Sequence, residues 1–269
     1  TLNNRPNSAG VAPVIASRGD MHLGVQTLNN LANTIDYNSQ ALILSGANLY
    51  LGGALDVNDQ AVGQAQVINN ESATIESLGD MSLSAKHINN INKNFSTDEF
   101  QTDYQEKNEK ETSIGAGNPM GGGTFSITKY IYHSETTYRD IVKSSAPSNI
   151  TAGGNLDLMG AVGVNDKSYI IAGKTIFNDG SIKNLGATGV EKTVIKRKEE
   201  MNYNGLYTVL IGEWEDTQLK STFDLNVGRK IDNQLINSNN HSFIDVSDGT
   251  SNQKIQSSQL EYTDISDLL

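Results

Sequence analysis

The sequence predicts an all-β chain folded as a parallel β-helix, with about 20 residues per coil and projecting β-hairpin excursions. Three observations predict it: an internal repeat at constant offset, period-two alternation of apolar residues inside each repeat, and turn-forming Gly, Asp and Asn between the apolar pairs.

Ile15-Ala-Ser-Arg-Gly19-Asp20-Met21-His-Leu23, then Leu28-Asn29-Asn30, recurs as Ile75-Glu-Ser-Leu-Gly79-Asp80-Met81-Ser-Leu83, then Ile88-Asn89-Asn90, every matched position offset by 60. Asn69-Asn70 after Ile68 precedes Asn89-Asn90 by 20, which sets the unit near 20 residues and three units between the long matches. Gly46-Ala-Asn48-Leu49-Tyr-Leu51 is a looser copy, as are Ile150-Thr-Ala-Gly-Gly154-Asn155-Leu156-Asp-Leu158 and the run from Ile170 to Ile182. Met21 with Leu23, Leu49 with Leu51, Met81 with Leu83 and Leu156 with Leu158 alternate at period two, which gives strands with one buried face. No unit holds a helical i, i+3, i+4, i+7 stripe. Gly19, Asp20, Gly79 and Asp80 read as tight-turn residues. Asn29, Asn30, Asn69, Asn70, Asn89 and Asn90 read as amide ladders between stacked coils, which accounts for 30 asparagines in 269 residues.

These features divide the chain into coils over 1–91, a non-repeat hairpin excursion over 92–148, coils over 149–189, a second hairpin excursion over 190–222 and an irregular continuation of the β-helix over 223–269. The first excursion opens with the acidic stretch Asn94–Glu111, turns at Gly121-Gly122-Gly123 and returns through alternating Phe125–His133. The second turns at Asn204-Gly205, a strong hairpin signal. Six of the ten tyrosines lie in the excursions, with the only tryptophan. Tyr104, Tyr130, Tyr132, Tyr138, Tyr203, Tyr207 and Trp214 are therefore the candidate receptor-binding residues, because Tyr and Trp dominate binding hot spots and loops on rigid scaffolds carry function.

Composition excludes several chemistries. Without cysteine there are no disulfides, thiolate metal sites or cysteine nucleophiles. A formal net charge of −11 argues against nucleic acid as partner. His22, His87, His133 and His241 stand at no metal-like spacing, and no cofactor motif or metal site is expected. Arg18-Gly19-Asp20 spells an integrin-binding tripeptide, but its Gly and Asp are those of the repeat turn, where Leu78 replaces Arg18. Polysaccharide lyases and hydrolases also use β-helices, and hydrolysis needs two carboxylates about 5–10 Å apart. With three coils between them Asp20 and Asp80 would lie about 14 Å apart, so no enzyme is expected. Thr1 opens the chain without Met or a signal peptide, which suggests a piece of a longer protein.

Gly19-Asp-Met-His-Leu with Leu28-Asn-Asn, Gly79-Asp-Met-Ser-Leu with Ile88-Asn-Asn-Ile-Asn, and Ile150-Thr-Ala-Gly-Gly-Asn-Leu-Asp-Leu resemble the filamentous haemagglutinin-type repeats of two-partner secretion exoproteins. Val164-Asn-Asp-Lys-Ser-Tyr-Ile-Ile-Ala-Gly173 resembles the CdiA branch, the contact-dependent growth inhibition effectors. The resemblance covers roughly residues 1–185. It implies a right-handed β-helical stick on the surface of a Gram-negative bacterium, monomeric, exported through an outer-membrane two-partner transporter. It also implies a receptor-binding region that recognises an outer-membrane protein or surface polysaccharide of a neighbouring bacterium before toxin delivery. Two other functions remain open at this stage, a host-cell adhesin of the filamentous haemagglutinin kind and a β-helical carbohydrate-active enzyme.

Overall fold

The computed structural model describes residues 1–7, 10–32, 40–115, 125–203, 207–227 and 230–233, which are all-β, with no helix among them. They divide into two compact units. The first holds 1–96, 144–187 and the described residues from 226; the second holds 97–143 and 188–225.

In the first unit the chain cycles through three sheets. One pass gives β1 (Leu2–Asn4), β2 (Val14–Ser17) and β3 (Met21–Gly24); the next gives β4 (Thr27–Leu31), β5 (Leu42–Ser45) and β6 (Leu49–Gly52). A short hairpin of β7 (Ala54–Leu55) and β8 (Ala61–Val62) precedes β9 (Ala65–Glu71), β10 (Thr74–Ser77) and β11 (Met81–Leu83). Next come β12 (Ala85–Ile91), the long β13 (Ser96–Gly115) and β14 (Phe125–Ser144), then β15 (Asn149–Ala152) and β16 (Leu156–Asp157). The last passes give β17 (Val162–Asp166), β18 (Tyr169–Ala172) and β19 (Ile176–Phe177), then β20 (Ser181–Leu185), the long β21 (Thr188–Tyr203) and β22 (Tyr207–Asp224), and β23 (Lys230–Asn233).

The first sheet is ordered β1-β4-β9-β12-β17-β20, the second β2-β5-β10-β15-β18-β23 and the third β3-β6-β11-β16-β19, and neighbouring strands in each are parallel. Register places like on like: Leu28, Ile68 and Ile88 in the first sheet; Ile43, Ile75, Ile150 and Ile170 in the second; Leu49, Met81 and Leu156 in the third. All of these belong to one buried core cluster. Each such side chain contributes roughly 1.5–3 kcal/mol by leaving water. A one-residue slip would turn every one of them outward, so the pattern fixes the register.

Buried polar groups reinforce that register. Asn4 donates to Asn30 Oδ1, Asn30 to Asn70, Asn70 to Asn90, Asn90 to Asn165 and Asn165 to Asn184, each Nδ2–Oδ1 distance being 2.8 Å. The Nδ2 groups also donate to carbonyls at the corner with the second sheet, for example Asn30 to Thr74 O at 2.9 Å and Asn90 to Tyr169 O at 2.8 Å. All six asparagines are buried. The outward neighbours form a second ladder of opposite sense, Asn89 donating to Asn69, Asn69 to Asn29 and Asn29 to Asn3, at 2.8–2.9 Å. A third column runs along the turns between the second and third sheets. There Asp20 Oδ1 accepts from Asn48 N at 3.0 Å, Asn48 Oδ1 from Asp80 N at 2.8 Å and Asp80 Oδ1 from Asn155 N at 2.7 Å.

This column corrects one expectation. Met21 pairs with Leu49 and Leu49 with Met81, so Asp20 and Asp80 stand two passes apart rather than three, about 10 Å at the spacing of paired strands. The offset of 60 is divided between two long passes, because β7–β8 and the connection from Leu31 to Leu42 lengthen them. Spacing near 20 holds where no insertion intervenes, as from Asn70 to Asn90.

The corner from the first to the second sheet is turned tightly by a left-handed residue, Ser72 (φ 47°) after β9 and Lys167 (φ 49°) after β17. After β12 and after β20 the long strands are inserted at this same corner. The excursions, expected as two separate hairpins, form one antiparallel sheet that makes up the second unit. Its order is β13-β14-β21-β22, with β14 paired to β21 from Ile127–Tyr203 to Arg139–Glu191. The second excursion begins at Thr188 and ends at Asp224. Of the continuation expected over 223–269, β23 pairs with β18, and residues beyond 233 lie outside the described residues. The expected turns Gly121–Gly123 and Asn204-Gly205 lie outside them too.

The two ladders differ in burial, and that difference is measurable. Asn70→Ala leaves Asn30 Nδ2 without its side-chain acceptor and frees the carbonyls of Ala73 and Asn149, all at a buried site. It should cost at least about 2 kcal/mol in urea unfolding, whereas Asn69→Ala in the outer ladder should cost under about 1 kcal/mol. Equal losses for the two variants would contradict the assignment.

Candidate functional site

The second unit is the sheet β13-β14-β21-β22, and the aromatic residues singled out from the sequence lie on it. Antiparallel register aligns three consecutive rows across β14, β21 and β22: Tyr132, Lys198 and Glu213; His133, Arg197 and Trp214; Ser134, Lys196 and Glu215. With Tyr104 and Glu106 of β13, these nine residues border a depression of about 520 Å³, within the range of small-ligand and peptide sites.

Alternation along the strands puts the first and third rows on one face and the middle row on the other. On the first face the Lys198 ammonium lies 6.0 Å from the Tyr132 ring centre, and the Tyr130 ring stacks alongside at 6.4 Å and 15°. Lys110 caps Tyr130 at 5.8 Å, and Lys196 pairs with Glu215 at 3.3 Å. Lys198 also pairs with Glu200 at 2.7 Å, which raises the lysine above its ordinary pKa. Tyr104 donates its hydroxyl to Glu106 at 3.0 Å. That bond raises the phenol's pKa, and the Asn108 amide together with the same hydroxyl holds Glu106 below the ordinary carboxylate range.

On the other face Glu199 is buried and is the hub of the ion pairs, accepting from Lys129 at 2.9 Å and from Arg197. The Lys129 hydrogen bond, aided by Arg197, lowers its pKa. The Trp214 ring lies over Gly212, where an added Cβ would stand 2.7 Å from ring carbons, so the indole needs glycine two residues before it. His133 bonds Glu135 at 3.0 Å. Ser134 is its sequence neighbour and faces the opposite way by alternation, so the two do not make a nucleophile–base pair. Among the described residues no group of three or more His, Asp or Glu gathers as a metal site.

Of the seven aromatic candidates, the sheet brings Tyr104 and Tyr132 to the depression; Trp214 borders it from the middle row, with its side chain on the other face by alternation, and Tyr104 and Trp214 are 52% and 53% exposed. Tyr130 stands beside it through its stack on Tyr132. Tyr203 and Tyr207 stack on each other at 5.0 Å at the far end of β21 and β22, and Tyr138 sits opposite Lys192. The charged members Glu106, Lys196, Arg197, Lys198, Glu213 and Glu215, with His133 and Ser134, were not among the candidates. Their signal in the sequence is the alternation of Lys196-Arg197-Lys198 against Glu213-Trp214-Glu215, which becomes a row pattern only when the register is known. The turn and ladder candidates, by contrast, all lie in the first unit, where Asp20 and Asp80 spend a carboxylate oxygen on backbone N–H groups.

No family model matches the chain, and no curated protein or solved structure matches it.

The lowered pKa of Glu199 has a definite sign. A carboxylate held below its unfolded value contributes stability fully above about pH 4.3, and the contribution is lost as pH falls through the folded value. Glu199→Gln should therefore be less stable than the parent at pH 7, and the gap should close progressively below about pH 4. Urea titrations followed by the fluorescence of Trp214, the only tryptophan, read this directly. A gap independent of pH would show that the ion pairs do not act as described.

Proposed function

We propose that this chain is a non-enzymatic cell-surface binding module of a contact-dependent growth inhibition exoprotein of the CdiA type, exported by two-partner secretion. In this reading the three stacked sheets are a right-handed parallel β-helix that serves as the delivery stick. The antiparallel sheet meets the receptor, an outer-membrane protein or surface polysaccharide on a neighbouring Gram-negative cell.

The observation that carries the reading is the separation of chemistries between the two units. In the first, apolar columns and asparagine ladders satisfy one another internally, as a scaffold requires. In the second, large aromatic and charged side chains stay exposed around an open depression, the composition of a recognition surface. A preorganised sheet limits the ordering cost of binding. The repeat motifs and their order add the resemblance to the exoprotein family.

Removal of the sheet tests the proposal. Ser96 Oγ and Ser144 Oγ lie 2.6 Å apart, so the chain ends left by deleting 97–143 are close enough to bridge with a short Gly-Ser linker. Deleting 97–143 together with 188–225 should lower binding to target bacteria at least about tenfold while the remaining chain keeps its β-sheet circular dichroism. Undiminished binding would remove the sheet as the receptor surface.

A further inference from the structure

The antiparallel sheet has two edges, and they differ in chemistry. Edge β13 carries Asp98, Glu99, Asp103, Glu106, Glu109 and Glu111 with Lys107 and Lys110, the charge density that blocks unwanted strand pairing. Edge β22 begins with Tyr207-Thr208-Val209-Leu210-Ile211, which holds no charge, proline or glycine. Tyr207, Val209, Leu210 and Ile211 are 57%, 42%, 52% and 46% exposed. Among the described residues β22 has β21 on one side and no strand on the other.

Protection resumes immediately beyond this run. Glu199 pairs with Gly212 and Glu200 with Leu210, so Ile211 is the extra residue of a β-bulge. Glu213, Glu215 and Asp216 follow, with no cation before Lys220. An unguarded apolar run bounded by a bulge and by charge is a delimited interaction surface.

The geometry of the run selects the kind of partner. Val209 and Leu210 point to opposite faces, so a ligand lying on either face would cover only half of the run. A strand added in the plane of the sheet reaches both halves. It also meets the row of backbone N–H and C=O groups, which recur at every second residue, ~6.8 Å, and match only another extended polypeptide. Of the three acids beyond Ile211, Glu215 is paired with Lys196, and Glu213 and Asp216 call for cations on the partner where it continues past them.

We propose that the Tyr207–Ile211 edge of β22 takes an extended segment of a protein partner as an additional strand, apolar along Tyr207–Ile211 and cationic opposite Glu213–Asp216. This rests on the reading of the sheet as the receptor surface and narrows that receptor to a protein.

The full 269-residue chain can be titrated with the peptide Ac-Lys-Lys-Thr-Val-Thr-Val-Thr-NH2, written for antiparallel pairing, and with its twin N-methylated at alternate residues. The parent peptide should bind, slow amide exchange across Tyr207–Ile211 at least about tenfold and weaken with added salt. The twin keeps the side chains and loses pairing N–H groups, so it should bind at least about tenfold more weakly. Val209→Lys should abolish the response. Equal binding of the two peptides, or unchanged exchange at Tyr207–Ile211, overturns the proposal. So does a concentration-dependent dimer of the free chain that Val209→Lys dissolves, which assigns the edge to a second copy. Loss of cell binding on deleting the sheet, with no response to the peptide, would keep the receptor reading and discard this one.

Discussion

A buried asparagine amide has two N–H donors and a carbonyl oxygen to satisfy, and leaving one unpaired costs more than a formed hydrogen bond contributes net. In this protein that constraint is met by repetition. Asn30, Asn70, Asn90 and Asn165 each give one N–H to the Asn of the next strand and another to a corner carbonyl, and each accepts from the Asn before it. The carbonyl contacts fix which end of each amide donates, so the inner column runs in one sense along Asn4, Asn30, Asn70, Asn90, Asn165 and Asn184. Such a chain closes only if the strands are parallel, in register and one spacing apart. The apolar columns of Leu28, Ile43, Leu49 and their counterparts follow from that register rather than competing with it.

The ladder also explains where the fold tolerates interruption. The corner beside the inner asparagines is turned by a single left-handed residue at Ser72 and Lys167, yet after β12 and β20 it accommodates insertions of two long strands each. At the first of these exits the polar groups are again mostly paired, Asn94 Nδ2 being buried without a partner. Asn92 Oδ1 accepts from Ala146 N at 3.2 Å, the single Ser148 hydroxyl proton is shared between Ile91 O at 2.8 Å and Asn70 O at 2.9 Å, and Ser144 Oγ donates to Asn94 O at 3.0 Å. The insertion leaves the stack's hydrogen bonding intact, so the antiparallel sheet is free to carry a different chemistry.

That sheet is held by other means. Its paired centre buries Thr137 against Thr193, with Oγ1 atoms 3.2 Å apart, and Glu199 between Lys129 and Arg197. Elsewhere its ion pairs are exposed, and such pairs contribute little each. Its side chains therefore remain available at the surface, where Tyr104 and Tyr132 meet acids and bases in one depression and Trp214 stands exposed on the other face. Rigid backbone pairing with an unspent surface is the physical basis for the difference in chemistry between the two units.

Local pattern made much of this legible. The alternation at Met21 and Leu23, the Gly-Asp turns and the Asn pairs at 69–70 and 89–90 determined an all-β chain of short stacked strands, because each depends only on neighbours in sequence and on the identity of its own repeat. The break in the repeat marked both long insertions. What the chain alone did not reveal depends on contacts between distant segments. Asn4, Asn165 and Asn184 joined the ladder without a matching Asn-Asn pair or constant spacing, and inserted residues hid that Asp20 and Asp80 are two passes apart. The pairing of β14 with β21, across an intervening stretch of the stack, decided that two hairpins are one sheet. The same register gathered Tyr132, Lys198 and Glu213 into a row and left Tyr138 and Tyr203 out of the depression. Backbone hydrogen bonds between strands carry no residue code, so composition determined the kind of surface and tertiary pairing decided which residues share it.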